Sequence, residues 1–252
     1  LSKVFESFIF DCLFEDINDN IDPQQFGFRS GHSTVHYLVA LLDTILKHLE
    51  NNGAYVEALF ADIVKAFDSL DHNVVVEEAK AMGARPFVVR MLASFLFERS
   101  QCVQLPDHEP SEFVNIFCGS PQGTKLGPLS FLIVFNRILT TIRERFKFAD
   151  DLTVLSLRLS PPATEQSDLI EIYHDLKAEL GKVKLTVSET KSSYMTFSFL
   201  KGNNHSSPIS ILPTKKTVRI LGILLDDDLR WNSHVDYLTK KGTSLLHSFS
   251  NL

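Results

Sequence analysis

The alternation of apolar and polar positions divides the chain into helices and strands. "KVFESFIFDCLFEDI" places Val4, Phe5, Phe8, Ile9, Cys12 and Leu13 at helical spacing, which predicts an amphipathic helix. A turn segment, "DPQQFGFRSGHST", follows, and Ser33 or Thr34 is positioned to cap the next helix, "VHYLVALLDTILKHLENN", which Gly53 ends. "AYVEALFADI" is rich in β-formers and predicts a buried strand ending near Asp62. Two helices follow, "NVVVEEAKAMG", stopped by Gly83, and "PFVVRMLASFLFER", opened by Pro86. "CVQL" and "EFVNIFC" predict two strands joined through "PDHEP".

The Gly- and Pro-rich "GSPQGTKLGP" excludes regular structure and leads into the apolar helix "LSFLIVFNRILTTIRER". "RFKFADDLTVLSL" then has the pattern of a hairpin, with Asp150 and Asp151 at the bend and Phe146, Phe148, Leu152 and Val154 sharing one face. A helix behind a Pro pair ("PPATEQSDLIEIYHDLKAELG"), a strand ("SSYMTFSF"), a loop ("KGNNHSSP"), a strand pair in "VRILGILLDD" and a last helix ("NSHVDYLTKKGTSLLHSF") complete the order. Strands and helices alternate without a strict βαβ rhythm, so the expected fold class is α+β.

Composition narrows the class. The 252 residues suffice for a sizeable core, and 44% apolar with 22% charged residues is a globular balance. Cys12, Cys102 and Cys118 form no CxxC pair, which reads as reduced thiols of an intracellular protein. The most apolar run, "LGPLSFLIVFNRIL", is too short for a bilayer span, so no membrane role is expected. A first residue Leu1 without a signal sequence reads as a piece of a longer polypeptide. The net charge of −6 runs against nucleic-acid binding, and any such binding must rest on local cations. Lys177, Lys182, Lys184, Lys191 and Lys201 form one basic stretch, and Lys215, Lys216, Arg219, Lys240 and Lys241 another. Solvated helix faces are the plainer reading of any one of these lysines.

Asp62 at a strand end and Asp150 with Asp151 at a bend are rigidly presented carboxylates in apolar settings. An ionised pair placed there calls for a positive partner. Hard divalent cations such as Mg²⁺ take carboxylate oxygens, and two of them about 4 Å apart can drive phosphoryl transfer. The plainer alternative is that Asp favours turns and both groups face water. Spacing alone does not bring Asp62 to Asp150.

"FADIVKAFDSLDH" (60–72), "GSPQGTKLGPLSF" (119–131) and "KFADD" (147–151) occur in an order that resembles the palm motifs of reverse transcriptases of non-LTR (LINE-type) retrotransposons. "QFGFRSGHST" (25–34) resembles the fingers element ahead of that palm, and "LTVSETKSSYMTF" (185–197) and "VRILGILLDDDLRWNSHVDYL" (218–238) resemble the segments behind it. The resemblance implies a right-hand polymerase palm, an antiparallel sheet with packed helices, plus partial fingers. It implies fingers at 1–57, palm at 58–200, and the primer-grip hairpin with the start of a thumb at 201–252.

The resemblance also implies roles. Asp62, the backbone carbonyl of Ile63, Asp150 and, less directly, Asp151 match the metal ligands, for two Mg²⁺ ions with Mn²⁺ as the alternative. Phe67 matches the ring under the incoming sugar, favouring dNTP over rNTP, although an ordinary core Phe is its plain reading. Gln122 and Gly123 match the contact to the template–dNTP pair, and Arg29 a triphosphate or template-backbone contact. Lys191 matches a lysine that protonates pyrophosphate or steadies the triphosphate, with Thr186 or Ser188 where the family usually has Asn. His72, following Asp71 at a helix start, reads as a capping residue, and the acid run 226–228 as a solvated turn.

Three departures stand out. The first is "FADD" in place of the commoner Tyr-led tetrad, the second Arg137 where an Asp is typical, and the third a missing upstream basic fingers segment. The implied activity is RNA-directed DNA synthesis with RNA template, DNA primer and dNTPs as partners, in a polypeptide with further domains. The implied location is the nucleus or a cytoplasmic ribonucleoprotein. The rival expectations are a decayed palm that only binds RNA, and a group II intron maturase-type reverse transcriptase.

Overall fold

The computed structural model describes residues 2–51, 53–159, 167–199 and 209–250. Helices α1 (Ser2–Ile17) and α2 (Thr34–Leu49) precede strand β1 (Ala54–Ala61). Helices α3 (His72–Ala81) and α4 (Pro86–Leu96), strands β2 (Arg99–Gln101) and β3 (Val114–Ile116), and helix α5 (Leu126–Phe135) come next. The chain continues through the hairpin β4 (Arg145–Phe148) and β5 (Asp151–Leu159), helix α6 (Leu169–Lys182) and strand β6 (Ser193–Phe197). Strands β7 (Thr217–Ile220) and β8 (Ile223–Asp226) then precede α7 (Asn232–Ser250). The expected α+β class holds. The "KGNNHSSP" loop lies outside the described residues, as does the Pro pair ahead of α6.

A four-stranded sheet in the order β4-β5-β1-β6, antiparallel throughout, divides two cores. All eight residues of β1 are buried, because helices cover both of its faces. Leu59, Ala61, Leu152 and Val154 face the larger core with α1, α3, α4, α5 and α6. Val56, Ala58, Phe60, Phe146 and Leu155 face the smaller one, under α2 and the β7–β8 hairpin. Tyr37 on α2 fastens this second core to the hairpin through a 2.6 Å hydrogen bond to Thr153 and edge contacts to Phe146 and Phe148.

Several expectations are corrected. Phe148 pairs with Asp151, so the bend is the two residues Ala149 and Asp150, and Asp151 opens β5. That register places Phe146 and Phe148 opposite Thr153 and Asp151, while Leu152 and Val154 turn to the other core. The shared face for all four residues is therefore wrong. Strand β2 begins at Arg99, ahead of the predicted "CVQL".

Helix α5 ends at Phe135 rather than running on to Arg145. The cause is remote in sequence. The buried Lys147 ammonium donates to the carbonyls of Phe135 at 3.3 Å and Asn136 at 2.9 Å, completing the helix end with a cation. On α1 the inward stripe is only Ile9, Leu13 and Ile17, whereas Val4, Phe5 and Phe8 are exposed. Ser33 caps α2, as expected. Among the described residues no helix is long and apolar enough to cross a membrane.

Candidate active site

Strand β1 ends by delivering Asp62, and the segment between α6 and β6 grips it. Asp62 N–H donates to Ser192 Oγ at 3.1 Å, Ser188 N–H donates to the Asp62 carbonyl at 2.8 Å, and Val64 N–H donates to the Thr186 carbonyl at 2.9 Å. Ile63, between them, is buried and bridges to Val187. With its backbone fixed on both sides, Asp62 retains a buried carboxylate oxygen, Oδ1, that accepts no hydrogen bond. Lys191 Nζ stands 3.6 Å from it, charged but beyond hydrogen-bond reach.

The β4–β5 hairpin brings the other two carboxylates. At Asp150, partial burial raises the pKa first, Asp62 adds to the rise, and Lys191 opposes it. At Asp151, desolvation and then the charges of Asp150 and Asp62 push the carboxyl up to about 6, although the residue as a whole is exposed. The charge of Asp62 acts on both Asp150 and Asp151, so the three acids share one electrostatic neighbourhood and the structure unites what spacing could not. A cavity of about 190 Å³ opens against them, lined by Asp62, Asp151, Lys191, Lys215 and Arg219. Among the described residues no three carboxylates close into a ready metal-ligating cluster. The donor set of hard oxygens, with one buried oxygen lacking a partner, nonetheless fits a hard cation.

The bend itself is held from behind. Ala149 has φ of 54°, a left-handed backbone ordinarily given to glycine, at the first bend position. Gly27 lies against it so closely that a Cβ there would stand 2.4 Å from Ala149 N. This loop is stitched to β4 by Phe26 N–H to the Lys147 carbonyl (2.8 Å) and Lys147 N–H to the Gln24 carbonyl (2.9 Å). Beneath it, Asp22 is fully buried between Arg145, bound through Nε at 2.9 Å and Nη2 at 2.5 Å, and Lys147 Nζ at 2.7 Å. Burial alone would raise the Asp22 pKa, but the Arg145 hydrogen bonds and the Lys147 charge reverse this and hold it below the usual carboxylate range. Burial pushes Lys147 down to about 8 against the pull of Asp22.

Arg29 uses its guanidinium inside this loop, donating to the carbonyls of Asp22 (3.3 Å) and Gln25 (3.2 Å). Phe67 leaves the aspartates in sequence but stays near the loop, meeting Phe28 edge-on at 6.3 Å and Phe131 at 5.0 Å. Its carbonyl accepts from Ser120 N–H at 2.9 Å, which ties it to the 119–124 loop. His72 is not the cap expected of it. Asp71 caps α3, and the buried His72 Nε2 bonds the Gly119 carbonyl at 2.8 Å, anchoring the same loop.

Gln122 and Gly123 are exposed and line a separate groove of about 1040 Å³ with Phe5, Glu6, Phe87 and Arg90. They do not line the aspartate cavity. Arg137 pairs with Glu78 at 2.8 Å, so the atypical residue has a structural partner. Asp226, expected in a solvated turn, is buried and receives Thr217 Oγ1 at 2.9 Å and Ser233 N–H at 3.1 Å.

Sequence reading missed Ser188 and Ser192 as the clamp on Asp62, and Asp22, Arg145 and Lys147 as the support of the bend. No local pattern marks these partners, which lie more than a hundred residues apart.

An antiparallel sheet with helices packed on it, carrying acids at one strand end and one hairpin bend, is a polymerase palm. Solved structures agree: telomerase from Candida tropicalis bound to a fragment of telomeric RNA superposes with TM-score 0.64 over 89% of this chain and 37% of that one, at 12% identity. Apo telomerase from the same organism gives 0.61 over 90% of this chain and 40% of that one, at 13% identity.

The chain belongs to the family described as reverse transcriptase (RNA-dependent DNA polymerase), which matches residues 1–225. It is similar to the RNA-directed DNA polymerase from mobile element jockey of Drosophila funebris, 28% identical over 99% of this chain. The probable RNA-directed DNA polymerase from transposon BS of Drosophila melanogaster is 27% identical over 96% of this chain. The chain spans only 27% and 28% of the length of these two relatives. It is thus a reverse transcriptase domain homologous to those of non-LTR retrotransposons.

Proposed function

We propose that this domain copies RNA into DNA, adding dNTPs to a DNA primer at the cavity lined by Asp62 and Asp151, beside the bend that carries Asp150. The observation that carries the reading is the shared electrostatic neighbourhood of these three acids, with a buried Asp62 oxygen that accepts no hydrogen bond. Asp62, the Ile63 carbonyl, Asp150 and Asp151 would hold two Mg²⁺ ions, or Mn²⁺, which supply activation of the primer hydroxyl and neutralisation of the departing pyrophosphate.

The chain's own residues do the remainder. The Ser188–Ser192 clamp fixes the direction of the Asp62 carboxylate, and the Gly27 contact fixes the bend that carries Asp150. Lys191 balances the acids at rest and is placed to hold or protonate a phosphate oxygen near Asp62. Lys215 and Arg219 bring positive charge to the lining of the same cavity, which offsets the acidic net charge where a polyanion would lie. Phe67 lies under the sugar, Gln122 and Gly123 meet the template–dNTP pair from the loop His72 anchors, and Arg29 steadies the loop behind the bend. Residues 1–57 act as partial fingers, 58–200 as palm and 201–252 as primer grip and thumb start. Further domains of the full polypeptide complete the template path.

The test is primer extension on an RNA template–DNA primer with Mg²⁺, using the full-length polypeptide that carries this domain. Asp150→Ala with Asp151→Ala is expected to lose incorporation by about 1000-fold or more while retaining RNA binding. RNA binding without incorporation by the unmodified protein would establish the RNA-binding-module reading instead. Equal incorporation by both forms would remove the carboxylate assignment.

A further inference from the structure

We propose that Phe28 is a specificity-determining positioning residue, whose ring holds Phe67 in the plane that separates deoxyribonucleotides from ribonucleotides. The inference rests on the placement of Phe67 under the incoming sugar.

Phe28 is costly where it stands. Its φ is 58°, a left-handed backbone that bulky residues rarely adopt, and its ring is 42% exposed, so core burial does not account for it. The surrounding loop enforces the position. Gly27 is wedged on Ala149, its N–H donates to the buried Gln25 Oε1 at 2.9 Å, and Arg29 closes the loop on the Asp22 and Gln25 carbonyls. Phe28 therefore cannot slide relative to the bend that carries Asp150. What this rigidity achieves is one contact, the edge-on approach to Phe67 at 6.3 Å and 86°.

Phe67 has its backbone pinned by Ser120, and one side of its ring lies on Phe131 at 5.0 Å and 35°. Its remaining freedom is rotation of the side chain, and Phe28 restricts that rotation from a second direction. Without the Phe28 ring, Phe67 can tilt away and open the space that a 2′-hydroxyl would need. The loop thus references the sugar-facing ring to the same bend that references the catalytic acids. A loss of one edge-to-face aromatic contact corresponds to about a 3- to 10-fold effect on a ratio of rate constants.

The experiment measures kcat/KM for a dNTP and for the matching rNTP on an RNA template–DNA primer, in the full-length polypeptide and its Phe28→Ala, Phe28→Tyr and Phe67→Ala forms. Phe28→Ala is expected to lower the dNTP/rNTP ratio about 3- to 10-fold by raising kcat/KM for the rNTP in absolute terms. Phe28→Tyr is expected to keep the ratio, and Phe67→Ala to lower it further. A simple folding defect would lower both substrates together and leave the ratio in place, which would overturn the proposal. If Phe67→Ala loses discrimination and Phe28→Ala does not, the role of Phe28 is refuted and the placement of Phe67 survives. If neither changes the ratio, the placement of Phe67 falls and the proposal with it.

Discussion

Asp22 and the pair Asp150–Asp151 stand near opposite ends of the same short strand, β4, in opposite electrostatic conditions. Asp22 has two buried cations, and its carboxyl is held below the usual range. Asp150 and Asp151 have each other and Asp62, with Lys191, 3.6 Å from Asp62, as a partial counterweight, and both are raised. The first arrangement is satisfied within the fold. The second is left under tension, with an oxygen of Asp62 that accepts no hydrogen bond. A group satisfied by its own fold holds the structure together, whereas acids crowded without a hydrogen-bonded cation are suited to receive cations from outside.

Removing the satisfied acid gives the largest expected change. Asp22→Ala leaves Arg145 and Lys147 buried without their anion and is expected to destabilise the domain by about 3–5 kcal/mol, read from urea unfolding. A loss below about 1 kcal/mol would show that the two settings do not differ in kind. Gly27→Ala comes next. Its Cβ would meet Ala149 N at 2.4 Å, so the bend must shift, at a cost of about 1–3 kcal/mol together with loss of primer extension.

The pH dependence separates the two settings by sign. The folded pKa of Asp22 is lowered, so its stabilisation is present above about pH 4 and is lost as pH falls through the folded value. The folded pKa of Asp151 is raised from 3.8 to about 6, so ionising it costs stability progressively across that window, and the cost is complete above it. Asp151→Asn, melted in chelator, is expected to gain about 1 kcal/mol over the unmodified protein above pH 6, after allowance for solvent screening, and nothing near pH 4. A gain that is the same at both pH values would contradict the assignment. The smallest effect is Lys191→Met. Its half-exposed pair with Asp62 is worth about 0.5 kcal/mol or less to stability, while nucleotide incorporation should fall measurably.

Much of this architecture was legible in the sequence, for physical reasons that can be named. Helices such as α2 and α4 bury one stripe and therefore show their period, and β1, buried on both faces, shows as a continuous apolar run. The acids were legible as chemistry because Asp at a strand end and at a bend in apolar surroundings is conspicuous. The hairpin parity was not, since one residue in the length of the bend reverses every face and composition does not fix that length. The end of α5 was hidden because the cation that completes it arrives from β4. Asp22 read as an ordinary turn residue in "DPQQ", and only tertiary contact reveals the two cations on it. Gln122 and Gly123 were placed correctly in a loop, but the groove they line is distinct from the aspartate cavity.

The most direct test of the central claim is Mn²⁺ binding, followed by electron paramagnetic resonance in the full-length polypeptide with template–primer and a non-reacting dNTP analogue. The account predicts a pair of bound ions in the unmodified protein and loss of that binding in the Asp150→Asn, Asp151→Asn double variant. Equal Mn²⁺ binding by the two proteins would contradict it.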